Sequence, residues 1–265
     1  MSISIFSAVC NRADPLKHTV LSWLYRTIAS EIVLLDWCSN DEPKSVVEQA
    51  IKESNKRPKS ELRNWEERLK FYRVVNDDIP WRIGYGSNIA AKLCTGNVLM
   101  KIDADCVLVG GEGIELPNNT FYNGNMNCQH ENDRGIFGSF MMKASDYWQV
   151  GGIDERYNTY GHEDLDLFIR LTNNGLERHD FPNGTIFHLP HGNSRRMENY
   201  NSKDDIYTST KKNRELCEKW NKIGNQWGPH QPHLNYEISL DKGWYKEIKV
   251  FQGEKVLDES EDFVA

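Results

Sequence analysis

No two of the six cysteines, Cys10, Cys38, Cys94, Cys106, Cys128 and Cys217, stand in a C-x-x-C pair, and their scatter over 265 residues excludes a short secreted disulfide framework. A reduced, cytoplasmic protein is the expectation. Long hydrophobic runs are missing as well: no window approaches the ~20 apolar residues of a membrane span. The opening MSISIFSAVCNR lacks a basic leader, and its apolar run is too short and too polar for a secretory signal, so no integral membrane segment is expected. Nor is there an excess of base. Lys and Arg number 32 against 39 Asp and Glu, a net charge of -7, which argues against general affinity for nucleic-acid backbones or anionic membranes. Repeats and low-complexity tracts are absent too.

What is present is an α/β pattern. Residues 3–9 read as a buried strand; Asp14 caps a helix with Pro15 at its first position; apolar spacing continues the helix over 16–29; and EIVLLD (31–36) is a second strand. Strand, helix, strand without a hairpin signal implies a right-handed crossover and a parallel sheet. Residues 43–70 are mostly helical with a break near Pro58, FYRVV is a short strand, 84–94 form a helix and VLMKI (98–102) is the next strand. An Asn-, Gly- and Pro-rich excursion over 117–135 precedes a strand at 137–142 and a short helix at 144–150. Beyond them come a helix ending near Gly175, extended stretches at 176–181 and 185–189, a polar helix over 203–222, and a hairpin turning near QGE. The expected organisation is one catalytic unit, 1–200, with a C-terminal extension, 201–265, packed on it.

Three groups of residues carry chemistry. Asp103-Ala104-Asp105 follows VLMKI directly, so two carboxylates stand at the carboxyl end of a sheet strand, where ligands bind in open α/β folds. In an extended segment residues two apart point the same way, and hard oxygen ligands suit Mg²⁺ or Mn²⁺. FHLPHG places His188 and His191 three apart, with Pro190 ruling out a regular helix; imidazoles beside Asp105 shift the preference toward Mn²⁺. TYGHEDLDLFIRL (159–171) gathers Glu163, Asp164 and Asp166 at the start of a helix whose stripe is Leu165, Phe168 and Ile169, widened by Leu167 and Leu171. The plain account of those acids is the helix dipole, which favours each by roughly 0.3–1 kcal/mol. The chemical account is a general base held at the rim of the core.

In this order of motifs, from FSAVCNR through LLDWCSND, KIDAD and GGIDERYNTYGHEDLDLF to FHLPH, the sequence resembles inverting glycosyltransferases of the GT-A fold. Its first half is similar to the family 2 enzymes and its second to the C-terminal region of the β-1,4-galactosyltransferases. The resemblance implies a Rossmann-like nucleotide-diphospho-sugar transferase fold with a central mixed, mainly parallel sheet. It also implies metal-dependent transfer of a sugar from a nucleotide-diphosphate donor, a UDP-sugar first, to the hydroxyl of a glycan or other acceptor. By the same resemblance Asn11, Arg12, Asp36, Asn88 and Asp103 serve the donor, and Asp103, Asp105, His188 and His191 the metal. Asp164 matches the base, with Glu163 beside it, and Tyr160, Glu163 and Asp166 lie on the acceptor side. Arg195 and Arg196 fall where relatives carry a mobile loop over the diphosphate. Two alternatives stand beside this. A sugar nucleotidyltransferase would share the sheet and the metal but needs a Gly-rich basic loop after the first strand, which SAVCNRADP lacks. A non-catalytic carbohydrate-binding protein would use Trp148, Tyr157 and Tyr160 to hold a glycan.

Overall fold

The computed structural model describes residues 1–26, 28–56, 65–124, 135–192, 197–200, 202–224, 227–229 and 234–253. Strand β1 (Ile3–Val9) lies at the centre because both of its faces are covered, and even Ser4 and Ser7 are buried. It is flanked in parallel by β2 (Glu31–Trp37), with Ser4 opposite Glu31, and by β4 (Val98–Lys101), with Ile3 opposite Val98. β3 (Leu69–Val74) extends the parallel array beyond β2, and β11 (Tyr245–Gln252) pairs parallel to β3. On the other side β7 (Phe140–Lys143) runs antiparallel to β4, followed by β6 (Thr120–Asn123) and β8 (Glu177–Asp180). Among the described residues the strand order is β10-β11-β3-β2-β1-β4-β7-β6-β8, a mixed, mainly parallel sheet, with β10 (Leu234–Lys242) at one edge. β5 (Cys106–Leu108) and β9 (Ile186–His188) form a separate antiparallel pair in which Cys106 faces His188.

Helices cover both faces. Leu16, Val20, Trp23 and Leu24 of α1 (Ala13–Tyr25), with Val47 and Ile51 of α2 (Pro43–Asn55), close one core over Ile3 and Ile5. A short helix, α3 (Trp65–Arg68), leads into β3. The opposite core packs Ile89 and Ala90 of α4 (Ile83–Lys92), Tyr147 of α5 (Ala144–Gln149) and Leu167, Phe168 and Leu171 of α6 (Glu163–Asn173) against Phe6 and Phe140. Helix α7 (Ile206–Lys222) is mostly exposed. No described helix is long and apolar enough to cross a membrane.

Four local expectations are corrected. Asp14 does not cap α1; the Ala13 N–H donates to Asp41 Oδ2 at 2.8 Å. The helix stops at Tyr25, short of residue 29, because Arg68 takes the carbonyls of Leu24, Arg26 and Ala29 at 2.9, 2.7 and 3.1 Å, satisfying groups that another helical turn would have used. The hairpin turns at Gly243, whose φ of +74° suits the first position of a two-residue turn between Lys242 and Tyr245, so Gln252 is the last residue of β11, not part of the turn, and the polar strand β10 precedes it. The buried face of α6 is rotated from the apolar stripe: Glu163, Asp166 and Arg170 lie inward with Leu167 and Leu171, while Leu165 and Ile169 are half-buried.

Asn88 shows what holds α4 to the segment before α6. Its side chain donates to Ile153 O (2.8 Å) and Glu155 Oε1 (2.9 Å), and accepts from Ile153 N (3.0 Å) and the Tyr147 hydroxyl (2.6 Å), with 1% exposure. Gly152, at φ +65°, is required beside it, since a Cβ there would lie 2.4 Å from Asn88 Oδ1. Asn88→Ala therefore strips partners from several buried polar groups and should lower the unfolding free energy by about 2–4 kcal/mol, measured by urea denaturation.

Candidate active site

The carboxyl ends of β1 and β4, the β5–β9 pair and the first turn of α6 surround a cleft of about 380 Å³, within the range of small-molecule sites. Arg12, Lys101, Asp103, Asp105, Tyr160, Glu163, Asp164, His188 and His191 all line it. Residues far apart in sequence therefore share one space, at the sheet edge where α/β folds bind ligands.

The β5–β9 pairing builds the first group. Cys106 opposite His188, and the Leu189 N–H donating to Asp105 O at 2.7 Å, fix the two chains in register. His191 Nε2 lies 2.7 Å and His188 Nε2 3.9 Å from Asp105 Oδ2, and one ligand atom from each residue falls within 4.8 Å of the others. Burial would raise the Asp105 carboxyl, but the His191 hydrogen bond and the two imidazoles outweigh it and hold it below the ordinary carboxylate value. One carboxylate and two imidazoles, already converging, fit a divalent transition ion such as Mn²⁺. Gly135 sets the His188 ring, because a Cβ at that position would lie 2.3 Å from its Cγ.

Asp103 is not in this cluster. The chain does not remain extended after β4: Cys106 N donates to Asp103 O at 2.9 Å, closing a turn, so strand alternation does not govern the two aspartates and they take different partners within the same cleft. Asp103 Oδ1 instead accepts from Lys101 Nζ at 2.7 Å. Lys101 is 3% exposed; it also donates to Gly138 O at 3.0 Å and lies 3.9 Å from Asp164 Oδ1. Burial alone would depress its ammonium, but Asp103 and Asp164 reverse that and raise it. Gly138 is the spacer: a Cβ there would meet Asp164 Oδ2 at 2.6 Å and Asp103 Oδ2 at 3.2 Å.

Glu163 and Asp164 open α6 after two left-handed residues, Gly161 (φ +97°) and His162 (φ +78°). Burial first, then the Asp164 charge, push Glu163 up to about 8. Burial pushes Asp164 up to about 6, moderated by Lys101. The turn is held from behind by α7, where Asn213 Nδ2 donates to Gly161 O (2.7 Å) and Ser209 Oγ to Tyr160 O (2.7 Å). Tyr160 lines the cleft, edge-on to Tyr200.

Four expected residues do not line the cleft. Asp166 is fully buried and ion-paired with Arg170 at 2.8 Å, and Arg170 in turn donates to the Val150 and Gly152 carbonyls. Asn88 is engaged with Tyr147, Ile153 and Glu155. Asp36, fully buried, accepts from Arg73 at 2.6 Å and from Ser39 N at 3.0 Å. Asn11 joins the ends of β1 and β2 by accepting from Asn40 N at 2.9 Å and donating to Asn199 at 2.8 Å. Of the donor set, Arg12 and Asp103 face the cleft. Arg195 and Arg196 lie outside the described residues. Sequence reasoning passed over Lys101, Gly138, Trp81 and Asn199, which also line the site. A lysine inside the apolar strand VLMKI was the available signal.

The family model described as the N-terminal domain of galactosyltransferase matches residues 118–192. Among solved structures, the catalytic domain of Drosophila β1,4-galactosyltransferase 7 in complex with xylobiose is 13% identical, with 95% of this chain and 94% of that one covered at a TM-score of 0.57. A mutant of that enzyme holding manganese, UDP-Gal and xylobiose is 12% identical over the same shares at 0.57. A mannosyltransferase from Pyrobaculum calidifontis with GDP-Man and Mn²⁺ is 11% identical, covering 87% and 72% at 0.55. No curated protein matches the sequence. The chain has the GT-A fold, that of nucleotide-sugar glycosyltransferases, as its motifs implied.

The site makes a direct prediction about metal. Mn²⁺ should raise the melting temperature of the wild type by mass action. Asp105→Ala and His191→Ala should lose most of that rise, and Asp103→Ala should keep the larger part, as checked by scanning calorimetry with and without Mn²⁺.

Proposed function

We propose that the protein is a metal-dependent, inverting glycosyltransferase that moves a sugar from a nucleotide-diphosphate donor, a UDP-sugar first, to an acceptor hydroxyl. One observation carries the reading: a half-buried carboxylate of raised proton affinity, Asp164, shares a cleft with the Asp105–His188–His191 group. The acceptor hydroxyl donates to Asp164; as its oxygen attacks the anomeric carbon, Asp164 takes the proton, and the bond to the diphosphate breaks with its electron pair leaving on the diphosphate. Asp105, His188 and His191 would hold a divalent ion, which when bound offsets the diphosphate charge. Arg12, just after β1, adds a further positive group to the same cleft. Residues 1–200 carry the reacting groups, and 201–265 act on them through Asn213 and Ser209.

The donor is supported by the relatives, one holding UDP-Gal with manganese and another GDP-Man with Mn²⁺, so both nucleotides belong in the first assay. Nucleotide release should require Mn²⁺ and stop in EDTA. Asp164→Asn keeps the shape and removes the basicity, so transfer should fall by roughly 10² to 10⁴ while donor affinity survives. Full transfer by that variant removes Asp164 from the mechanism, and retention of anomeric configuration, assigned by NMR, overturns the single displacement. The pH profile has a definite sign: Asp164 must be ionised to act, so the rate should drop as pH falls through about 6.

A further inference from the structure

Three carboxylates, those of Asp103, Glu163 and Asp164, meet near the first turn of α6, and Lys101 is the cation set among them. The lysine is already committed, bonding Asp103 and Gly138 and lying 3.9 Å from Asp164. Glu163 is 3% exposed, lines the cleft, and its Oε2 has no hydrogen-bond partner among the described residues. Among the described groups, its own backbone N–H and the Lys101 charge favour the carboxylate, but burial and the Asp164 charge outweigh them. From the 197–200 segment Tyr200 approaches, buried and so held neutral; Tyr160 and His162 precede it in the turn. Farther along α6, Asp166 is matched by Arg170. Among the described residues a charge on Glu163 would thus sit buried beside the Asp164 carboxylate without a cation of its own, and a buried charge so placed is avoided by keeping the proton.

We propose, resting on the transferase reading of the cleft, that Glu163 is a carboxylic acid at neutral pH and donates its hydrogen bond to an acceptor oxygen with no proton to give, such as the ring or ether oxygen of a sugar. The adjacent side chains then read the acceptor in opposite senses. Asp164 accepts from the hydroxyl that will be glycosylated, and Glu163 donates to a neighbouring ether oxygen, which an ionised carboxylate would repel. The order of the two proton affinities agrees, because Lys101 offsets Asp164 more than Glu163.

The test begins without donor, metal or acceptor, so it stands apart from the transferase reading. Wild type and Glu163→Gln, which is neutral at every pH and keeps an N–H donor, are compared by thermal unfolding from pH 5 to pH 9. Glu163 is raised in the folded protein from 4.5 to about 8, so its contribution is complete below about 4.5 and lost as pH rises through about 8. The wild-type melting temperature should therefore fall relative to Glu163→Gln across that window and level off above it. In ¹³C-carboxyl NMR of glutamate-labelled protein, one resonance missing from Glu163→Gln should titrate near 8. A melting difference independent of pH, or a Glu163 resonance titrating near its ordinary value, overturns the proposal. In the transfer assay the wild-type acceptor KM should rise above pH 8 by about tenfold per pH unit, and the Glu163→Gln KM should stay level. An identical rise in both proteins overturns the donor role even if Glu163 holds the proton.

Discussion

The buried ammonium of Lys101 is the interaction on which the cleft depends. It rises from the end of β4, and its partners come from three directions: Asp103 in the following turn, Gly138 before β7, and Asp164 at the start of α6. Two carboxylates brought together at the half-buried rim of a cleft repel one another and lose part of their hydration, and the attraction of a cation offsets that only when the geometry is close. Here Asp103 is at 2.7 Å, and Asp164, at 3.9 Å, is drawn without being bonded. Asp164 thus remains oriented yet free to receive a hydrogen bond from another molecule. Gly138 is part of the same device, since a methyl group at that position would separate the carboxylates that the lysine gathers.

Lys101 and Gly138 were not legible in the sequence, but much of the fold was, because apolar periodicity and motif order report on what is buried and what is in line. β1, β2, β4 and α4 follow from their apolar patterns, and Asp105, His188 and His191 from the residue types of FHLPHG and DAD. What was not legible depends on partners distant in sequence. The end of α1 is decided by Arg68, more than forty positions downstream of Leu24. β10 is a polar edge strand, recognisable only by its pairing with β11. The alternation that places residues 103 and 105 on one side holds only while the chain stays extended, and the turn into β5 ends that condition.

Asn88 and Asp166 illustrate a second limit. Both are of the residue type that binds sugars and nucleotides, and both lie in the right part of the chain. A buried amide or carboxylate, however, must find partners wherever it is. Asn88 finds them in Tyr147, Ile153 and Glu155, and Asp166 in Arg170. Their consequence for the site is indirect: each fixes the Gly151-Gly152 turn, Asn88 through Ile153 N and Arg170 through the Gly152 carbonyl. A motif can therefore lead to the neighbourhood of a cleft while some of its members serve the backbone.

The first turn of α6 joins these threads. Gly161 and His162 both take positive φ, a conformation that a histidine does not favour in isolation and that surrounding contacts must hold. Those contacts are present: α7 grips the carbonyls of Tyr160 and Gly161 through Ser209 and Asn213, and a Cβ at residue 161 would collide with Thr210. On the far side the Asp166–Arg170 pair anchors the helix to the glycine turn. Glu163 and Asp164 are thus set on a helix pinned at both its entry and its inner face. A carboxylate held that rigidly would lose little further freedom on meeting a ligand, which is what positioning for proton transfer requires.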